Sequence, residues 1–310
     1  MAAGALALAA SPGDAPIRAM RWAAKSVDPV AAFDRAPAEC LRRPSDPAEA
    51  LKVEVGRAAF RTPVLLGGQA ARAGVNCETC HKAGRSNPDF LFPGVSGAPG
   101  TADVTDSLFS THRGDDVMDP KPIPDLSGPK AKLKVDQAPR AHKLEPFIHG
   151  LITEEFDGPE PPKAVLAGIA DYVRHLSPEA CPKIPSVAVT PAYFMADARR
   201  ALAAAQGEIA AGDAPAAILM IASARTRLGL IDERYAGAAL APLRAELRSA
   251  DARLAQAQQG LREHRPDVAA ELTAWLQDSA ALEARLEARA PASLFDPQRL
   301  TQAARRRLPG

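Results

Sequence analysis

Between positions 77 and 81 the chain reads Cys77-Glu78-Thr79-Cys80-His81, and this pentapeptide constrains the fold more than any other stretch. Two thiols three residues apart stand one helical turn from each other, with an imidazole directly after the second. That is the C-x-x-C-H pattern of covalent c-type haem attachment. In such a segment the thiols add across the two vinyl groups of one haem, and the imidazole is delivered to the iron. Cys77 and Cys80 are therefore the expected tethers of one haem c, and His81 the expected proximal iron ligand. A thioredoxin-like dithiol fits less well, because the segment with Gly67, Gly68 and Gly74 reads as a loop rather than a strand. A zinc site would need a second Cys/His pair at ligand spacing, and Cys40 and Cys181 stand alone.

Haem is attached covalently on the outer side of the bacterial inner membrane, so a periplasmic location is expected. Residues 2–10 resemble a short signal core ending in A-x-A, without a basic segment before it, since the first Arg is Arg18. An oxidising compartment makes Cys40 and Cys181 a candidate disulfide that closes the ends of the haem segment. The formal net charge is +1, which gives no field for steering toward nucleic acid. No apolar run reaches the roughly 18 residues of a membrane-spanning helix, so no transmembrane segment is expected.

With 310 residues, two domains after an N-terminal segment are expected: residues 1–36, a haem domain at 37–182 and a helical domain at 183–310. The fold class is mainly α: a c-type cytochrome domain with long irregular loops, followed by an antiparallel helical bundle or coiled-coil domain. Leu51, Val55, Ala58 and Ala59 predict a short helix from Pro47 to Phe60, ended by Pro63. Residues 84–162 are so dense in Pro and Gly that regular helices and central strands are not expected; such a stretch wraps something. Helix returns over Lys163–Leu176, with Val165, Ile169, Tyr172 and Val173 on one face.

After Pro182 four apolar stripes follow. They run through Met195, Ala198, Leu202, Ala205 and Ile209; Ile218, Ile221 and Leu228; Leu240 to Leu261, with Pro242 in or near the first turn; and Val268 to Leu286. Met195 and Met220 belong to stripes and are expected in the core. Short connections between stripes predict antiparallel hairpins packed as a bundle, self-contained or available for self-association. The basic end Arg305-Arg306-Arg307 reads as solvated.

Gly56-Arg57-Ala58-Ala59-Phe60, the Gly-containing loop, the haem pentapeptide and Pro122-Ile123-Pro124-Asp125-Leu126-Ser127-Gly128 together resemble the cytochrome domain of the dihaem cytochrome c peroxidase family and its methylamine-utilisation relatives. The resemblance covers roughly Asp46 to Leu176. It implies a haem domain and, by the family's activity, reduction of peroxide. Members carry two C-x-x-C-H motifs, however, and this chain has one, with the helical domain standing where a second haem domain would be.

A haem that only passes electrons is held from both sides, whereas an open side admits peroxide or gas. Met118 and His112 are the leading candidates for the distal iron ligand, and His112 resembles the family's distal-side histidine. His142 and His149 follow; His175 and His264 are expected at the surface. Arg113 is a candidate partner of a haem propionate or of Asp115. Glu154 and Glu155 read as an exposed acidic turn, with a general acid/base role if the iron is open. The leading function is one-electron transfer by a monohaem cytochrome with a redox partner protein. The alternatives are a peroxidase-like enzyme reducing hydrogen peroxide and a haem sensor or assembly protein.

Overall fold

Asp46 accepts a hydrogen bond from the Glu49 amide and Pro47 occupies the first turn, so α2 (Pro47–Phe60) begins where a capped helix should. The computed structural model describes residues 17–24 and 27–306, and the chain is mainly helical. The signal-like stretch and Arg307 lie outside the described residues. Before α2 come α1 (Pro29–Phe33), capped by Asp28, and the short strand β1 (Arg35–Pro37). After it, the segment expected as loop forms α3 (Gly68–Ala73). Gly74 ends α3 at φ 78°, a left-handed residue whose N–H returns to the carbonyls of Ala70 and Ala71. The one-turn helix α4 (Cys77–Cys80) follows.

Residues 84–162 are largely irregular, as their Pro content dictates. Their sheet is two residues a side, β2 (Thr101–Ala102) against β3 (Lys121–Pro122), antiparallel. Contrary to expectation, one regular helix stands among them: α5 (Leu144–Gly150), which runs on into a π-helical turn at Leu151–Glu155. Leu144, Ile148 and Ile152, four residues apart, are buried on one side of it, and that stripe outweighs the surrounding breakers.

The helix α6 (Lys163–His175) crosses α2 at Gly56 and Gly168. A Cβ at Gly56 would lie 1.8 Å from the Gly168 carbonyl oxygen, so only glycine allows this approach. Phe60 and Tyr172 then meet at 5.2 Å between ring centroids. The segment's two ends are stapled beside this crossing. The Ser177 amide donates to the Cys40 carbonyl, Cys40 and Cys181 form the expected disulfide, and β1 pairs antiparallel with β4 (Ser186–Ala188).

The tail consists of α7 (Pro191–Ala210), α8 (Ala214–Asp232), α9 (Ala241–Arg262), α10 (Val268–Arg289) and α11 (Pro297–Arg306). Thr190 and Asp213 cap α7 and α8, and Pro242 lies in the first turn of α9. α7 packs on α8, α8 on α9 and α9 on α10, and α10 returns to α7. Leu247, Leu254, Leu272, Trp275, Leu282 and Leu286 are buried along the predicted seams, and Met195 and Met220 are fully buried.

The bundle does not bury only its own seams. α7 and α8 also pack on α2, Ser223 donates to the Ala58 carbonyl at 2.8 Å, and one apolar core runs through both parts. Lying between α2, α7 and α9, α8 must be apolar nearly all round. This explains why Ala214–Tyr235, at a mean hydropathy of 1.3 over its most apolar stretch, is long and apolar enough to cross a membrane by composition, against the expectation of no such segment. Half of that stretch is buried inside the fold.

Candidate cofactor-attachment site

Asn76 builds the Cys77–Cys80 turn. Its side chain accepts from the Thr79 amide at 3.1 Å while the Thr79 hydroxyl faces the Asn76 amide at 3.0 Å, a reciprocal cap that closes one helical turn around Cys77 and Cys80. A second tie runs from the Asn76 side-chain amide to the Arg61 carbonyl at the end of α2. Both thiols are unbridged. His81 ends the turn, its amide donating to the Cys77 carbonyl at 2.8 Å.

The His81 ring is oriented from the far side of the wrap. Nδ1 lies 3.0 Å from the carbonyl oxygen of Pro124, which only accepts, so Nδ1 carries the proton and Nε2 keeps its lone pair. The Pro-rich loop is itself tied down. Ile123 donates to Gly100, Leu126 donates to Gly84, and Asp125 accepts from the Ser127 amide and meets Arg85 at 3.2 Å. The backbone of Pro122–Gly128 thus fixes the imidazole, a role that the family resemblance of this segment did not specify.

Cys77, Cys80 and His81 keep partial exposure, yet protein surrounds them closely. Burial pushes the Cys77 thiol up to about 12, and burial together with the neighbouring Cys77 does the same to Cys80. Burial also lowers His81 to about 4, against the opposing effect of the Pro124 contact. Accessible surface walled by protein is the setting of a crevice. It holds two protonated thiols and a neutral imidazole near neutral pH. A redox dithiol needs the opposite, a thiol pKa drawn downward. Two thiols on one turn beside an imidazole with an open Nε2 are the donor set that haem c requires, and on that ground the residues present fit the group.

The opposite side of the turn is charged. Glu78 receives Arg61 Nε at 2.7 Å and Arg227 Nη2 at 3.2 Å. Arg61 reaches Glu39 at 2.8 Å, Arg57 bridges Glu39 at 2.8 Å and Asp197 at 2.9 Å, and the Tyr172 hydroxyl donates to Glu39 at 2.7 Å. Arg200 closes the cluster on Asp197. Burial alone would raise Glu39, but Arg61 and Arg57 hold it down at about 2. Asp197 is likewise held well below the usual carboxylate range, where burial is outweighed by Arg57, Arg61, Arg227 and Arg200. Sequence reasoning missed this cluster. The available signal was Arg57 and Arg61, four apart and in line with the apolar Val53 and Phe60, a placement that needs buried counter-charges.

The two distal-ligand candidates are exposed. Met118 is 49% exposed in its loop between Val117 and Asp119. The His112 side chain is 63% exposed, with Nδ1 3.0 Å from Asp157. His149 pairs with Glu160 through Nε2 at 2.8 Å, and His142 and His264 are at least partly exposed. His175 departs from expectation. It is only 9% exposed, its Nδ1 donating to the Asp171 carbonyl and its Nε2 3.2 Å from Glu49, because its face of α6 is covered by the start of α2.

Glu155 also departs. It is 7% exposed on the π-helical turn, burial raises its pKa, and Oε2 has no partner. Arg113 pairs with Glu154 and approaches Glu155 at 3.4 Å instead of turning to Asp115. A cavity of about 630 Å³ is lined by Glu78, Thr79, Lys82, Arg227 and Arg234, among others; Cys77, Cys80 and His81 do not line it. No known family, curated protein or solved structure matches the chain.

Proposed function

We propose that the chain is a monohaem c-type cytochrome that transfers one electron at a time in the periplasm, exchanging it with a redox partner protein. The observation that carries this reading is the His81–Pro124 contact beside two unbridged thiols on one capped turn. A haem joined at Cys77 and Cys80 would supply the ferric/ferrous couple. The chain's own contribution is to hold the thiols at fixed spacing, to keep Nε2 of His81 unprotonated and aimed, and to keep water from most of the crevice. The Cys40–Cys181 bridge supports an oxidising compartment. The finer fold reading, a cytochrome domain followed by an antiparallel bundle, rests on the same motif and on the α2–α6 crossing that closes residues 37–182 on themselves. The resemblance of Asp46 to Leu176 to the dihaem peroxidase family supports the same reading.

One observation favours the peroxidase-like alternative. Glu155 is buried with an unpartnered oxygen and a raised pKa beside Arg113, the condition of a general acid/base poised for proton transfer. One experiment separates the readings: expression with a haem-maturation system, then reduced optical spectra before and after carbon monoxide. Covalent haem with an unchanged spectrum sustains electron transfer, and Met118→Ala and His112→Ala then identify the distal ligand. A full shift makes the distal side open and peroxide turnover the activity to assay. A chain of unmodified mass from a competent host overturns both.

A further inference from the structure

Glu78 lies inside the attachment motif, yet two of the groups that govern it, Arg227 and Asp197, come from the tail. Arg227 of α8 contacts its carboxylate directly at 3.2 Å, and the same guanidinium lies 3.9 Å from Asp197 of α7. Arg57 of α2 and Arg61, which follows its last residue, complete the buried group with Glu39, and Arg200 joins from the half-exposed side. Four guanidinium groups thus face three carboxylates, while Tyr172 stays neutral, its pKa raised by burial. The excess is one positive charge, in a cluster that is buried apart from Arg200, whose side chain is one-third exposed.

A single aromatic ring separates this cluster from the iron-ligand candidate. Phe60 lies 6.2 Å from the His81 ring and 5.2 Å from Tyr172, and Arg61 is the next residue in the chain. Reducing ferric iron adds one negative charge to the site, and a nearby excess of positive charge favours that state.

We propose that the helical tail sets the midpoint potential of the attached haem, Arg227 and Asp197 acting as positioning and charge-setting residues through Glu78, with the cluster's excess positive charge raising the potential. The inference rests on the cytochrome reading. It assigns the tail a part in the redox chemistry, beyond packing or assembly.

Spectroscopic redox titration of the intact haem-loaded protein tests it. Arg227→Gln is expected to lower the midpoint and Asp197→Asn to raise it, each by about tenfold in the ferrous/ferric ratio at fixed potential, or about 59 mV for one electron. Arg227→Lys keeps the charge and is expected to restore most of the wild-type value. Arg200→Gln, at a position where the side chain is one-third exposed, lowers the midpoint by less and decides the matter if Arg227→Gln fails to fold. Shifts of the same sign in Arg227→Gln and Asp197→Asn, or no fall in Arg200→Gln, overturn the proposal while leaving the cytochrome reading intact. A wild-type chain without covalent haem overturns both together, and its mass spectrum shows this before any titration.

Discussion

Between residues 84 and 162 the backbone is held by short polar turns, in which Asp103, Asp106, Asp125 and Asp136 each accept from an amide two residues ahead, around a few buried apolar anchors such as Phe92, Phe109 and Ile148. Between 191 and 289 the order comes from Leu, Ala, Met and Ile seams buried on four helices that close on one another. The tail fills its own interior at helical spacing. The segment 84–162 borders the partly exposed Cys77–Cys80 turn, to which Pro124 ties it through His81, and the Cys40–Cys181 bridge closes the longer stretch that contains it. On the cytochrome reading proposed above, a haem held on that turn would complete the wrap, whereas the tail's helices pack on one another and on α2 without it. The chain's two tryptophans report on the two regions separately, for Trp22 stacks on Phe92 of the wrap at 4.3 Å and Trp275 donates to the Ala250 carbonyl in the tail.

The contrast breaks most decisively at the thiols. Cys77→Ala with Cys80→Ala should abolish covalent attachment, read as loss of the haem mass, and should speed amide exchange in 84–162 while leaving 191–289 nearly unchanged. Equal acceleration in both regions would show that the tail depends on the attachment as much as the wrap does. Next in size is the staple: replacing Cys40 and Cys181 by Ser removes a link across 141 residues and should cost up to about 5 kcal/mol in urea unfolding on the chain-entropy model. Trp22 fluorescence should lead that transition and Trp275 follow.

Leu272→Ala, in the fully buried seam of α10, should cost about 2–5 kcal/mol. Because one core runs through α2, α7 and α8, both tryptophan signals should shift together in this variant; a shift confined to Trp275 would separate the tail as an independent folding unit. Acid comes next. Glu39 is held at about 2 in the folded chain, below its ordinary value, so its contribution is complete above the ordinary carboxylate range and is lost as the pH falls toward 2. Thermal unfolding between pH 5 and 2 should show this loss, diminished in Glu39→Gln. The smallest effect belongs to His112→Ala, which removes an exposed pair with Asp157 and should change stability by less than about 1 kcal/mol. A haem spectrum altered by this variant would instead make His112 a ligand.

Features set by spacing within one or two helical turns are legible in the chain. α2 runs over Pro47–Phe60 as its stripe predicts, α6 ends one residue before Leu176, and the seams of α7 to α10 bury the residues they name, except that Ile209, Ile218 and Ala250 are only partly buried. The exceptions are equally local in origin. α5 hides within Pro-dense surroundings, and α3 reads as loop because glycines at both its ends mark caps rather than breaks. His175 and Glu155 escape a sequence reading for a different reason, since their burial depends on elements far away in the chain that cover them.

Cys77, Cys80 and His81 are close neighbours in the chain, so local helix geometry suffices to put two thiols and an imidazole on one turn. Which nitrogen of His81 is free follows from a carbonyl 43 residues away, and what Glu78 faces follows from an arginine 149 residues away. Such pairs have no periodicity to betray them: they exist only once the α2–α6 crossing and the α2–α8 contact have brought distant segments together. Burial then makes them consequential, because a charge or a lone pair removed from water is governed by the few groups the fold leaves beside it.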